Sequence, residues 1–304
     1  LTRRVDNDSL FAAGFNPRTV MVILFRLIAP LPLWLLHALG AALGRLVYWL
    51  SPTYRRHLRE NLAQAGLDPA LRGAVAAEAG KQMLELSRIW MRTLEEAVAQ
   101  VVEVVGWEYV DAAHRSGKGI VFLTPHLGCF EITAQYLSAH FPITVLYRPP
   151  KRTSLQQLIE MGRQRAQLHL APADLTGVRS LIKALKRGQA IGLLPDQAPK
   201  TGEGVWLDFF GRPAYTMTLA ARLTETGATT LMTWGERLPG GRGYRVHFSP
   251  PQVALEGNTI ERAQRINHEV EHLVHRCPAQ YLWGYNRYKR PGGAEPPPEK
   301  GRGQ

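Results

Sequence analysis

A chain of 304 residues has room for a sizeable core in one large domain, and an excess of 37 Lys and Arg over 25 Asp and Glu leaves it at +12. Such a field favours anionic partners (phospholipid head groups, lipid phosphates, an acidic carrier protein or nucleic acid) without choosing among them. Cys129 and Cys277 are the only cysteines, which excludes a disulfide framework and points to a reducing compartment.

The chain opens on Leu1, and residues 1–16, polar around Asp6, Asn7, Asp8 and Ser9, read as a loose lead. Residues 17–50 are strongly apolar, interrupted only by Arg18, Arg26, His37 and Arg45. No run there reaches the roughly 20 uncharged residues that a bilayer crossing wants, and Pro30 and Pro32 would kink a helix. Trp34, Tyr48 and Trp49 suit a head-group boundary, and a basic flank follows at Arg55, Arg56, His57 and Arg59. This segment is expected to be a membrane anchor, crossing once or lying in the interface; a buried helical hairpin is the alternative.

Residues 51–290 are expected to form the main domain. Helical periodicity covers about 58–105, broken near Gly66-Leu-Asp-Pro69. Alternating segments follow: strands over 119–124, 143–147, 190–194, 228–234 and 244–248, and helices over 129–140, 154–165, 178–187, 216–226 and 258–276. Strands separated by helices imply an α/β fold, a largely parallel central sheet flanked by helices, with an N-terminal membrane-associating helical segment. Active groups in such folds gather at the carboxyl ends of strands, where His126 and Asp196 both fall. The tail, 291–304, is rich in Gly, Pro and charge and is expected to be disordered.

His126 and Glu131 are the sharpest pair. They lie in Gly119-Ile-Val-Phe-Leu-Thr-Pro-His-Leu-Gly-Cys-Phe-Glu131, where an apolar run gives way to a helix within a few residues. On one continuous helix, side chains five apart would face different ways. If the His instead closes a strand and the Glu sits in the first helical turn, the carboxylate could orient the imidazole as a general base toward a hydroxyl. A loop His beside a helix-start Glu favoured by the dipole is the other reading. Arg163 and Arg165 are candidates to hold a phosphate or a developing oxyanion, since the guanidinium fork matches phosphate oxygens. Asp196 and Gln197 are polar groups at a strand end, or an ordinary turn. Arg148, Lys151 and Arg152 form one basic cluster and Lys183, Lys186 and Arg187 another; either suits an acidic carrier protein, or plain solvent.

Several motifs in order carry a resemblance. Arg55 with Asn61-Leu62, His126 with Glu131, Tyr147-Arg-Pro149, Arg163-Gln-Arg165 and Leu194-Pro-Asp-Gln197 are followed by Gly204-Val-Trp-Leu-Asp-Phe-Phe-Gly-Arg-Pro213, Thr216, Gln280-Tyr-Leu-Trp283 and Asn286-Arg-Tyr-Lys289. Along nearly its whole length the chain resembles the late acyltransferases of lipid A biosynthesis, the lauroyl/myristoyl transferase family of glycerolipid acyltransferase-like proteins. It departs from a common family pattern in carrying Pro125, where Asn often precedes the His. The resemblance implies a bacterial inner-membrane enzyme on the cytoplasmic face that moves a fatty acyl chain from acyl carrier protein to a hydroxyl of a lipid A precursor, an anionic glycolipid. It implies His126 and Glu131 as catalytic residues, Arg148, Arg163, Arg165, Asp196 and Gln197 as substrate-binding ones, and no cofactor, metal or nucleic acid. A lysophospholipid or aminolipid acceptor is the alternative within the same chemistry; acyl chain length is not legible.

Two rival sites stand beside this one. His268-Glu-Val-Glu-His272 matches the zinc-protease pattern, with His268, Glu269 and His272 on a predicted helix. It lacks an ordered third ligand downstream, and the helix's apolar stripe needs no metal to explain it. Cys129, three residues from His126, invites a thiol nucleophile; a buried small residue is the alternative. A basic membrane-surface or nucleic-acid-binding protein would explain the charge but not the polar residues clustered at strand ends.

Overall fold

The computed structural model describes residues 17–149, 153–163, 165 and 167–298. The order is α1 (Pro17–Ile28), α2 (Leu33–Leu50), α3 (Pro52–Gln64), α4 (Arg72–Met91), α5 (Leu94–Val98), β1 (Val101–Val105), α6 (Trp107–Arg115), β2 (Ile120–Leu123), α7 (Phe130–Ser138), β3 (Ile143–Tyr147), α8 (Thr153–Arg163), β4 (Leu168–Pro172), α9 (Leu175–Lys186) and β5 (Ala190–Leu193). After these come β6 (Gly204–Phe209), β7 (Arg212–Met217), α10 (Leu219–Thr224), β8 (Thr229–Arg237), β9 (Tyr244–Ser249) and α11 (Thr259–Arg276). The main sheet runs β1-β9-β8-β2-β5-β3-β4, parallel throughout except for the β8–β9 pair, while β6 and β7 form a separate hairpin.

The sheet is covered on both faces, and β2 shows why. All four of its side chains are buried: Val121 and Leu123 join one core, Ile120 and Phe122 the other. An unbroken apolar run is what a central parallel strand requires, because successive residues enter opposite cores. The helices start where side chains satisfy their first amides. Thr93 and Glu96 form a capping box on α5, Asn258 and Glu261 another on α11, and Ser51 with Pro52 opens α3.

Sequence periodicity missed some elements. The helical stretch expected to about 105 ends in β1, whose Val-Val-Glu-Val-Val run favours a strand. The helix expected over 216–226 is shortened to α10, because Arg212–Met217 pairs with β6. The short edge strand β4 was not anticipated. The tail is ordered as far as it is described: Thr201 donates to the Gly292 carbonyl, Trp206 to that of Glu295, and Ala294 is buried.

The apolar front end is not a separate body. α2 lies along α4, where Gly40 and Gly44 meet Gly80 and Ala76 so closely that a Cβ on Gly44 would collide with the Ala76 carbonyl. At the seam's far end the buried Glu85 accepts hydrogen bonds from Arg237 at 2.8 and 2.9 Å and from Tyr244 at 3.1 Å, and pairs with His37 at 3.1 Å. Burial works against the Glu85 charge, but Arg237 and His37 outweigh it and hold the carboxyl at about 2. Because the folded-state value lies below the ordinary 4.5, the unfolded chain takes up the proton first as pH falls. The contribution of Glu85 is therefore complete above about pH 5 and is lost on the way down to about 2. We expect Glu85→Gln to destabilise the fold by roughly 1–3 kcal/mol at neutral pH, since it removes the carboxylate that holds Arg237 at two points and leaves only Glu78, at 3.1 Å, to oppose that buried charge, and to flatten this acid limb. Chemical unfolding from pH 7 to pH 3 checks both; an unchanged acid limb in the variant contradicts the assignment.

Candidate active site

The turn between β2 and α7 carries the site. β2 ends at Leu123, His126 sits in the turn, and Glu131 lies in the first turn of α7, as the sequence predicts. The two side chains do not meet, however. Cys129 and Phe130 intervene as the helix begins, and the Glu131 carboxylate turns toward α4 and α8. Its Oε2 accepts from Trp90 Nε1 at 3.1 Å and from Arg163 Nε at 2.9 Å, and its Oε1 accepts from Arg163 Nη2. The expected orientation of His126 by Glu131 is thus corrected.

Asp196, just past β5, supplies the carboxylate instead. One oxygen accepts the His126 backbone N–H at 2.9 Å, and the other lies 2.7 Å from Nδ1. Asp196 is only 2% exposed. Burial disfavours its charge, yet the His126 charge and hydrogen bonds to His126 prevail and hold its carboxyl below the usual range. An ionised carboxylate only accepts, so Nδ1 carries a proton, and in the singly protonated ring the lone pair lies on Nε2. Gln197 donates from Nε2 to that lone pair at 3.0 Å; the flipped amide would set oxygen against lone pair.

The turn is clamped from outside as well. The Leu282 N–H donates to the His126 carbonyl at 3.1 Å, Gly128 N–H to the Gln280 carbonyl at 3.0 Å and Cys129 N–H to the Gly235 carbonyl at 2.6 Å. Gly128 has φ +61°, and a Cβ there would strike the Gly235 carbonyl, so glycine alone fits. The Gln280 side chain pairs with both the N–H and the carbonyl of Arg237, at 2.9 Å each. Asn61 Nδ2 donates to the Trp283 and Tyr285 carbonyls at 2.7 Å each, and buried Arg287 donates to the Tyr215 carbonyl and to Thr216 Oγ1. The 280–287 segment therefore ties the turn, through Gln280 and Leu282, to α3 and β7.

The remaining residues separate into two groups. Arg163 stays with Glu131: its Nε and Nη2 fork onto that carboxylate, and among the described residues no acceptor meets Nη1. Arg165 is structural here, donating to the Trp90 carbonyl. Arg148 is half exposed and pairs with Glu203 at 3.5 Å. Lys151 and Arg152 lie outside the described residues. Lys183, Lys186 and Arg187 sit at the C-terminal end of α9, at the amino end of β5, opposite the strand ends that hold His126. Trp90 was missed: it reads as one more apolar position on α4, and only its indole N–H links it to Glu131.

Neither rival site survives. His268 pairs with Gln264 and His272 with Gln252, while Glu269 is buried and accepts the Val253 N–H. Among the described residues, the grouping with metal-ligand spacing is Asp208 of β6 with His268 and Glu271 of α11. There Asp208 already accepts from Gly211 N–H and Glu271 from Phe210 N–H. Burial, then the nearby Glu85 charge, pushes the Cys129 thiol well above its ordinary value, so it holds little nucleophilic thiolate.

A family model, bacterial lipid A biosynthesis acyltransferase, matches residues 17–290. The chain is 25% identical over 277 residues to the lipid A biosynthesis lauroyltransferase of Escherichia coli (strain K12), covering 88% of this chain and 90% of that protein. It is 25% identical over 276 residues to the palmitoleoyltransferase of the same organism, covering 86% and 88%. To the phosphatidylinositol mannoside acyltransferase of Mycobacterium tuberculosis (strain CDC 1551 / Oshkosh) it is 26% identical over 238 residues, 74% of each chain. A match that covers residues 17–290 places the chain in the bacterial lipid A biosynthesis acyltransferase family.

Proposed function

We propose that this acyltransferase moves a fatty acyl chain from an acyl carrier protein thioester to a hydroxyl of a lipid A precursor, working at the cytoplasmic face of the inner membrane. The observation that carries the reading is His126: a buried carboxylate fixes its tautomer and leaves the Nε2 lone pair facing Gln197. That is the equipment of a general base.

The acceptor hydroxyl takes the place of the Gln197 amide at Nε2 and gives up its proton as its oxygen attacks the thioester carbonyl. Asp196 stabilises the imidazolium that forms. The carbonyl electrons move onto oxygen, where Arg163 Nη1 meets the charge; Glu131 and Trp90 hold that guanidinium in place. When the oxyanion collapses, the C–S bond breaks and the imidazolium returns its proton to the leaving thiolate. The products are an ester and a free carrier thiol. In this account Glu131 is a positioning residue acting through Arg163, and Arg148 is placed to meet the acidic carrier or the acceptor's phosphate. The mycobacterial relative's name keeps a second acceptor in view, a sugar-linked hydroxyl on a phospholipid.

Transfer from radiolabelled acyl carrier protein to a panel of lipid acceptors tests this directly. We expect a phosphorylated glucosamine lipid to be the best acceptor; exclusive labelling of lysophospholipids contradicts the lipid A assignment. His126→Ala and Asp196→Asn should each lower kcat on the order of 10²–10⁴-fold with the fold retained. Wild-type turnover in His126→Ala removes the base from the mechanism.

The Glu131–Arg163 pair gives a separate expectation. Each single neutralisation, Glu131→Gln or Arg163→Gln, should lower both thermal stability and kcat, the first by leaving a partly buried charge without its partner. The double variant should recover stability while kcat stays depressed, on the order of 10²–10³-fold. Recovery of turnover in the double variant would show the pair to be merely structural.

A further inference from the structure

The apolar front end poses a geometric question that the fold answers. α2 has 18 residues at a mean hydropathy of 1.4, long and apolar enough to cross a membrane by length and composition. It is also fixed along α4 from end to end. Arg88 donates to the Leu31 carbonyl just before α2, His37 pairs with Glu85, and Gly40 and Gly44 pack against Gly80 and Ala76. Crossing a bilayer in this state would carry α4 through the hydrocarbon too, with Glu78, Lys81, Glu85 and Arg88. Peeling α2 away would strand the buried Glu85 and open the glycine seam.

The opposite face of the same helices is bare. Leu27, Trp34, Leu39, Leu43, Leu46 and Trp49 are exposed, 43–71% of their surface each, and Leu39, Leu43, Leu46 and Trp49 recur three or four residues apart along one side of α2, with Trp34 at the edge of the exposed face. α1 and α2 contain no Asp or Glu, and Arg26 and Arg45 are exposed beside the apolar stripe. An apolar stripe flanked only by cations is complementary to the surface of an anionic leaflet. The stripe also adjoins the chemistry: on α1, Phe25 stacks on Trp90 at 6.2 Å, and Trp90 donates to Glu131.

We propose that α1 and α2 lie in the plane of one leaflet of an anionic bilayer, with their outer face sunk to the acyl boundary and their inner face kept on α4. This rests on the reading of the enzyme as membrane-acting. It puts the helix pair that backs Trp90 and Glu131 at the level from which a lipid acceptor arrives.

The test uses the full chain in vesicles of phosphatidylcholine and phosphatidylglycerol. Spin labels go singly at Trp34→Cys, Leu43→Cys and Trp49→Cys in a Cys277→Ser background, and their depths are measured by relaxation with oxygen and a water-soluble nickel complex. All three should sit at one shallow depth, about 5–10 Å into the interface. Leu43→Cys at the midplane, with the other two labels at opposite surfaces, would overturn the proposal in favour of a crossing. Labels that all stay in water would overturn it and the membrane reading together; turnover of a detergent-dispersed acceptor tests the acyl-transfer chemistry independently. Arg26→Gln and Arg45→Gln should each weaken partition into the anionic vesicles about fivefold, leaving pure phosphatidylcholine unaffected. Equal losses on both lipids would contradict the charge complementarity.

Discussion

The Asp196 carboxylate is the constraint on which the site depends. Its two oxygens hold the same residue at two points, the backbone N–H and the imidazole Nδ1 of His126. The backbone contact fixes where the turn lies, and the ring contact fixes which nitrogen bears the proton. An acceptor at only one of these points would leave either the ring free to rotate or the turn free to shift. Because Asp196 follows β5, which pairs directly with β2, the parallel register between those two strands delivers the carboxylate to the turn. The chemistry is thus attached to the most deeply buried part of the sheet.

The rest of the molecule restrains the same turn from the far side. Glu85 holds Arg237 through its side chain, Gln280 holds Arg237 through its backbone, and the Gln280 carbonyl receives Gly128 N–H. That chain of contacts runs from His37 on α2 to two residues from His126. The Glu85–Arg237 link is buried and the Gln280–Arg237 pair partly so, and each is a satisfied polar contact whose loss leaves an orphaned group. The apolar front helices and the catalytic turn are therefore parts of one mechanical unit.

This also explains what was legible in the sequence. The positions of His126 and Glu131, one in a turn after a buried strand and the other in the first turn of a helix, follow from local rules: apolar run, Thr-Pro break, helix start. Their partners do not. Whether Glu131 turns to His126 or to Arg163 depends on where α4 and α8 pack, which is set by contacts 32 and 41 residues away in sequence. Asp196 was legible as a polar group at a strand end, but its pairing with His126 requires knowing that β5 neighbours β2. The clamp residues Asn61, Gln280 and Arg287 stood out only as motif members, because they act through backbone carbonyls and N–H groups, which carry no sequence signature. The tail misled for a related reason: its Pro and Gly content is that of a disordered segment, yet it is held by main-chain carbonyls that accept from Thr201 and Trp206.

Two buried carboxylates, one five residues from His126 and the other 70, meet different partners, and those environments suit them to different work. Asp196 is opposed by an imidazole, a group that changes charge in the reaction proposed above, so its partner's proton is part of that chemistry. Glu131 is opposed by a guanidinium that stays charged through every step and has one donor arm left over. A carboxylate paired to a permanent cation cannot take part in proton relay, but it fixes the direction in which that cation points. In the proposed mechanism one carboxylate thus sets where a proton goes, and the other sets where negative charge is met. Acyl transfer to an alcohol needs both, because the attacking oxygen must lose a proton at the moment the carbonyl oxygen gains a charge.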